Sequence, residues 1–435
     1  MRQPFWLLIF IIMLGCAHPV LSQSISSQDR DRGIIMLKAA RDDIRKNYYD
    51  PTFRGIDLDA RAKLAEEKIK QAQSNGEMFG IIAQMLLEFN DSHTVFLPPP
   101  RSARIEYGWQ VQTFGDECYV IAVKPKSDAE AKGLKSGDKV LKIDGIPPNR
   151  SNLWIYNYLY TALSPRPVVN VEVQSPGEQP RLLELKARIQ PGKKVFDLTD
   201  TIDLNAYWRD LEDEARINEH RAIEVNKDIV IWRMPQFDLT SDGVDARVDK
   251  IKNYKTLILD LRRNGGGLVE TLQRLVGNLF DRDITIGNMK LRKESKPMLA
   301  KTRGDSGYKG QVFVLVDSES GSASEVLARV VQLEKRGTVL GDRTYGKVMR
   351  SRVYPHQIGL DTVIFYGVSV TDADIIMGDG KSLEGIGVSP DEMLLPTAED
   401  LRSQKDPVLS RAVTIAGGTL DSAEAGKFFP FKWKP

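Results

Sequence analysis

The sequence predicts a multidomain α/β protein with an N-terminal helical region, an inserted β-rich module and an α/β core. Three observations predict it. Between residues 30 and 100, apolar side chains recur at helical spacing in stretches separated by turn residues. Between 106 and 188, short apolar strands alternate with turns around one short helical stretch. From residue 228 onward, buried strands run into glycine-rich or polar turns, and amphipathic helices follow.

The 435 residues suffice for more than one domain, and 41% hydrophobic with 28% charged residues is ordinary for a soluble globular protein. A net charge of +2, with no long basic run, argues against nucleic acid as a partner. Residues 1–22 read as a secretory signal peptide: one Arg, an apolar block at 5–15 and a small-residue end. The block is too short to cross a bilayer. Cleavage after Ser22 is the favoured end, which puts the mature chain in the periplasm or outside the cell. The alternative is the stretch MLGC at 13–16, which resembles a bacterial lipobox and would tie the chain to a membrane through lipidated Cys16. Cleavage after Ser22 leaves only Cys118, so no internal disulfide can form. Cys118 opens the apolar run CYVIAV and is expected to be a packed strand residue.

Residues 23–100 form the expected helical domain, with amphipathic stretches at 34–50, 57–73 and 78–89. It ends in the turn NDSHT at 90–94, whose His93 reads, by itself, as a structural group more readily than as a catalyst. Residues 101–190 carry the β-rich module, and 191–225 read as a charged connector in which His220 is a surface residue. The α/β core spans 226–400, followed by a C-terminal extension at 401–435. Its loop DLRRNGGG at 260–267 lacks the Gly-Lys-Ser/Thr end of a phosphate-binding loop.

The chemistry centres on residues 312–347. An apolar strand at 312–316 gives way to a polar turn, and from Ser322 the apolar residues fall at helical spacing. Ser322 thus stands at a helix N-terminus, where unpaired N–H groups and the helix dipole can stabilise an oxyanion. Ser322 and Glu325 also match a capping box, which needs no catalysis. Lys347, after a tight Tyr-Gly turn, reads on its own as a surface lysine. His356 is expected in a loop with no role, and no Cys, His or carboxylate cluster has metal-ligand spacing.

Taken together, GSASE at 321–325, TYGK at 344–347, the 260–267 loop and LEGIGVSPD at 383–391 resemble peptidase family S41, the C-terminal processing or tail-specific serine peptidases. The 106–188 stretch resembles a PDZ domain, through Gly133, Leu134, Gly137, Asp138 and Gly145. The resemblance implies a PDZ insert at 101–190 and a ClpP/crotonase-like α/β protease core. It implies a polypeptide substrate, with its C-terminus engaged by the PDZ module, and no metal or nucleotide cofactor. Ser322 would be the nucleophile, with an oxyanion hole from Gly266 or Gly267 and the N–H of Ala323.

The family offers two bases. Lys347 would serve in a Ser-Lys dyad. In tricorn-type members a Ser-His pair stands in the turn that here holds Ser92 and His93, and Glu384 would orient His93. Ser351 and Leu333 stand where dyad members carry Gln and Asp, so the triad is preferred. Such a base would titrate near ~6.5, or higher if Glu384 favours the charged ring. The alternative function is a catalytically inactive S41-like protein that binds peptides or apolar ligands.

Overall fold

The computed structural model describes residues 25–100, 103–191, 219–359 and 363–433. The expected signal peptide with Cys16, and most of the 191–225 connector, lie outside them. Ser26, Asp57 and Ser74 each accept a hydrogen bond from an N–H three residues on, opening α1 (Ser27–Asn47), α2 (Leu58–Gln71) and α3 (Asn75–Leu87). Their apolar faces meet through Met36, Ile44, Ile69, Ile82 and Leu86. After α3 the chain turns at 88–94 into β1 (Val95–Leu97), whose Val95 pairs with Ser369 far along the chain. That pairing fixes the 90–94 turn against the core.

The inserted module follows. β2 (Ala103–Glu106) leads into β3 (Trp109–Phe114), β4 (Glu117–Val123), the short α4 (Asp128–Ala131), β5 (Lys139–Ile143), α5 (Leu153–Tyr158), β6 (Val168–Gln174) and β7 (Arg181–Lys186). β3 to β7 form one antiparallel sheet in chain order. The exit strand β8 (Arg188–Pro191) pairs antiparallel with the entry strand β2, Ile105 opposite Ile189, so a two-stranded ribbon carries the module. Cys118 is buried in β4, and burial pushes its thiol pKa up.

The core is layered. β9 (Arg221–Asn226), β10 (Ile229–Arg233), α6 (Ser241–Ile251), β11 (Thr256–Asp260) and α7 (Val269–Leu279) precede a hairpin of β12 (Ile284–Leu291) and β13 (Ser295–Ala300). Then come β14 (Gln311–Val316), α8 (Ala323–Leu333), β15 (Gly337–Gly341), β16 (Met349–Ile358), β17 (Ile364–Met377) and β18 (Glu392–Met393). A six-stranded sheet runs β18-β15-β14-β11-β10-β9, parallel except at β9. Because side chains alternate along a strand, Val312, Val314 and Val316 face α8, while Phe313 and Leu315 face the opposite side. That second face is covered by α10 (Pro407–Ile415), which follows α9 (Ala398–Arg402) and precedes α11 (Ser422–Ala425). A second, antiparallel sheet joins β1, β17, β12 and β13, with β16 on β17. Among the described residues no helix is long and apolar enough to cross a membrane.

Two histidines differ from expectation. His220 is not on the surface: it is buried beside Trp232, with Nε2 2.8 Å from Asp238 Oδ1. Its charged neighbours in sequence concealed this, because the strand that follows it, β9, joins the core sheet. His356 lies within β16 and not in a loop. Its Nε2 is 2.6 Å from Asp43 Oδ2 of α1, and its ring stacks on Tyr366 at 5.1 Å. It ties the helical region to the second sheet.

Leu409 of α10 is fully buried against the six-stranded sheet. Leu409→Ala should cost about 2–5 kcal/mol of stability through lost burial and a cavity, read as a lowered urea midpoint. An unchanged midpoint would show that the C-terminal helices are not part of the cooperative core.

Candidate active site

Ser322 occupies the junction of β14 and α8 with φ +53° and ψ −115°. This is a costly backbone conformation for a residue with a Cβ, unlike the extended backbone of an ordinary N-cap. It is held by bonds to neighbouring segments. The Ser322 N–H donates both to the Lys347 carbonyl (2.9 Å) and to Glu325 Oε2 (2.9 Å). The fully buried Glu325 carboxylate also accepts from Thr344 Oγ1 (2.6 Å), Gly346 N–H (2.6 Å) and Lys347 N–H (2.9 Å). Burial pushes the Glu325 pKa up to about 7, while these donors favour its ionised form. The glutamate half of the capping box is therefore present, and the same carboxylate clamps the 344–347 turn to the helix start.

The glycine loop packs directly behind the serine. A Cβ on Gly266 (φ +103°) would stand 2.6 Å from Ser322 Cβ and 2.9 Å from the Ala323 nitrogen, so only glycine fits. Buried Asn264 fixes the loop: its Nδ2 donates to the Met234 carbonyl (2.8 Å), and its own carbonyl accepts from Gly321 N–H and Ser324 Oγ (2.9 Å each). Asn264 Oδ1 also accepts from Gly266 N–H at 2.8 Å. Of the two glycines expected to donate to an oxyanion, Gly266 is therefore already committed. Among the described residues the N–H groups of Gly267 and Ala323 have no hydrogen-bond partner.

Buried Asp91 shapes the turn that carries His93. Its carboxylate accepts from the N–H groups of His93 (3.0 Å) and Thr94 (2.7 Å) and from the hydroxyls of Thr94 (3.0 Å), Tyr48 (2.8 Å) and Thr371 (2.8 Å). The His93 Nδ1 lies 2.7 Å from Ser92 Oγ, which donates to Glu384 Oε2 at 3.0 Å. Glu384 also accepts from Ser92 N–H (2.7 Å) and Val348 N–H (2.8 Å). The resemblance predicts that Glu384 orients His93, and the structure places the Ser92 hydroxyl between them. With that hydroxyl donating to Glu384, its oxygen accepts Nδ1–H, and Nε2 keeps the lone pair that a base needs.

The two halves meet at Lys347 and Val348. The Lys347 carbonyl holds Ser322, and the next residue's N–H holds Glu384. Lys347 is not a surface lysine. Its Nζ lies 4.0 Å from the Tyr345 ring centre and 4.6 Å from that of Trp154 in α5, a cage of two aromatic faces. Burial lowers its pKa to about 8, against the pull of Glu384 and Glu325. Burial likewise lowers His93 to about 4, with Asp91 opposing and the Lys347 charge reinforcing. The imidazole thus titrates below the ~6.5 of a free ring, not above it. Glu384 is shifted up by burial against its hydrogen bonds. Among the described residues no group of His, Cys, Asp or Glu could hold a metal ion.

Reading the sequence alone missed Asp91, Asn264 and Trp154. Asp91 and Asn264 stand inside motifs already singled out, so a short polar residue heading a turn was the available signal. Trp154 had none, because its contact with Lys347 crosses from the inserted module to the core.

Known proteins resemble the chain in sequence and in fold. The profile of peptidase family S41 matches residues 228–394. The chain is 27% identical over 401 residues to the chloroplastic C-terminal processing peptidase of Tetradesmus obliquus, covering 86% of this chain and 79% of that one. It is 25% identical over 360 residues to the tail-specific protease of Haemophilus influenzae, covering 77% of this chain and 48% of that one. Against the crystal structure of mature CPAF the TM-score is 0.63 at 16% identity, covering 86% of this chain and 95% of that one, a likeness of fold. Residues 228–394 thus match peptidase family S41, and relatives aligned over most of the chain are serine-type processing and tail-specific proteases.

Proposed function

We propose that the protein is an exported endopeptidase that cleaves unstructured polypeptide or C-terminal tails through an acyl-enzyme on Ser322, with His93 as the base. The observation that carries this reading is the run of hydrogen bonds from His93 Nδ1 through Ser92 to Glu384, joined to Ser322 across Lys347 and Val348. Ser322 Oγ attacks the scissile carbonyl carbon while His93 Nε2 takes its proton. The carbonyl oxygen, now an oxyanion, is received by the N–H groups of Gly267 and Ala323. The imidazolium is stabilised through Ser92 by Glu384 and returns its proton to the leaving amine. Water then repeats the sequence on the ester and frees Ser322. The names of the relatives, C-terminal processing and tail-specific, support polypeptide tails as substrates. The resemblance of the inserted module to a PDZ domain supports engagement of a peptide strand. Membrane attachment would enter only through lipidation of Cys16.

A serine-directed phosphonate should label the protein at Ser322 and leave Ser322→Ala unlabelled; labelling elsewhere, or none, overturns the nucleophile. Intact-mass measurement after export should show loss of the first 22 residues. A lipidated Cys16 at the new N-terminus would replace soluble export by anchoring, and an unprocessed chain would sink both.

Lys347, with a pKa near 8, is the rival base, and pH separates the two. A base works only when neutral, and its neutral fraction grows as pH rises through its pKa. With His93 at about 4, kcat/KM should climb along an acid limb near pH 4 and be level by about pH 6. With Lys347 as the base, the limb would rise through about 8. His93→Ala should lower kcat/KM by about three or more orders of magnitude. Lys347→Ala should cost far less and move the acid limb upward, because it removes a positive charge that reinforces the effect of burial on His93. Activity that survives His93→Ala and vanishes in Lys347→Ala reverses the assignment.

A further inference from the structure

Residues 428–433 lie across the face where the inserted module meets the peptidase core. The Phe428 carbonyl accepts from Arg221 Nη1 at 3.2 Å. The guanidinium groups of Arg221 and Arg233 lie 5.6 and 6.0 Å from the Phe429 ring centre, and that of Arg263 lies 4.6 Å from the Phe431 ring centre. Phe431 and Trp433 meet edge to face at 4.9 Å. Three arginines of the core thus grip two aromatic rings of this segment. Phe431 and Trp433 border two cavities. One, of about 770 Å³, lies between β4 and the core. The other, of about 340 Å³, is the groove between β3 and α5, lined by Tyr107, Trp109, Val111, Leu153 and Tyr156.

The groove has the parts needed to take a polypeptide segment: a strand on one side, a helix on the other, and an aromatic and aliphatic lining. The segment already at it is the protein's own. The contact also reaches the catalytic loop. Arg263 is the residue before Asn264, its N–H donates to Asp317 Oδ1 (2.9 Å), and its Nε donates to Glu319 Oε2 (3.2 Å) in the turn leading to Ser322. The buried Trp109 Nε1 at this groove has no hydrogen-bond partner. A polypeptide that offered a carbonyl there would gain a bond that the resident segment does not make.

We propose that residues 429–433 are a resident ligand of the β3–α5 groove, held in cis, which an incoming substrate polypeptide must displace. This rests on the reading that polypeptide substrates approach Ser322 along this face. Residues 429–433 then set the threshold for substrate entry: an aromatic segment competes better for the groove than a polar one of the same length.

The test uses the full chain carrying Ser322→Ala, so that binding is read without catalysis. The probe is a fluorescein-labelled peptide with the sequence of residues 426–435, followed by anisotropy. Adding Phe431→Ala and Trp433→Ala should tighten probe binding by about ten-fold, as loss of a tethered competitor at millimolar effective concentration would. In the active chain the same pair should lower KM for a polypeptide substrate and leave kcat within about two-fold. Equal affinity with and without the two substitutions, or no probe binding by the substituted chain, overturns the proposal. If the double variant melts early, Trp433→Ala alone decides in the same assay, since Trp433 adds nothing to the buried cores. Phosphonate labelling of Ser322 without probe binding sinks this inference alone. Probe binding without labelling sinks the peptidase mechanism alone.

Discussion

The Glu325 carboxylate is the point on which the site is assembled. It lies one helical turn past Ser322, fully buried, and takes hydrogen bonds from both sides of a gap that would otherwise be open. On one side is the start of α8, on the other the turn through Thr344, Gly346 and Lys347. Removing it would leave three donors unpaired, Thr344 Oγ1 and the N–H groups of Gly346 and Lys347, each costing about 1–3 kcal/mol where buried. It would also release Ser322 from its left-handed backbone, since nothing in an isolated helix start favours φ +53°. The strain at Ser322 is sustained by this buried carboxyl group.

His93 is held by the same strategy on the other side. Five donors converge on Asp91, two from the turn's own backbone and three from hydroxyls, and one of these comes from β17. The histidine is therefore placed by the meeting of the helical region with the second sheet. Burial then sets its protonation. The ring loses water, faces a caged lysine, and stays neutral in the pH range where a free imidazole would be partly charged.

Much of this was legible in the sequence. The strand before Ser322 and the helix after it, the three N-terminal helices, and the strand–glycine loop–helix at 256–279 follow from apolar spacing and turn residues. The sequence points to Ser92, His93, Ser322, Lys347 and Glu384; hydrogen bonds link Ser92, His93 and Glu384, and the Lys347–Val348 backbone bonds both Glu384 and Ser322 N–H. What escaped depends on contacts between distant segments. Spacing cannot show that Ser92 stands between His93 and Glu384, or that Asn264 claims the N–H of Gly266. Nor can it show that His220, set in a charged stretch, turns inward beside Trp232. The direction of the His93 shift was missed for the same reason, since loss of solvent is a property of packing and not of neighbours in the chain.

The hydrogen bond between Ser92 and Glu384 spans 292 positions. A contact of that separation cannot form during local folding, because it needs the chain on both sides of the inserted module to be in place. The cluster therefore has no partial version: a chain still being synthesised, with residue 384 not yet in place, carries Ser322 without the Ser92–Glu384 bond. The surroundings of Ser322 are thus completed only when residues 90–94 and 383–391 have both reached the core.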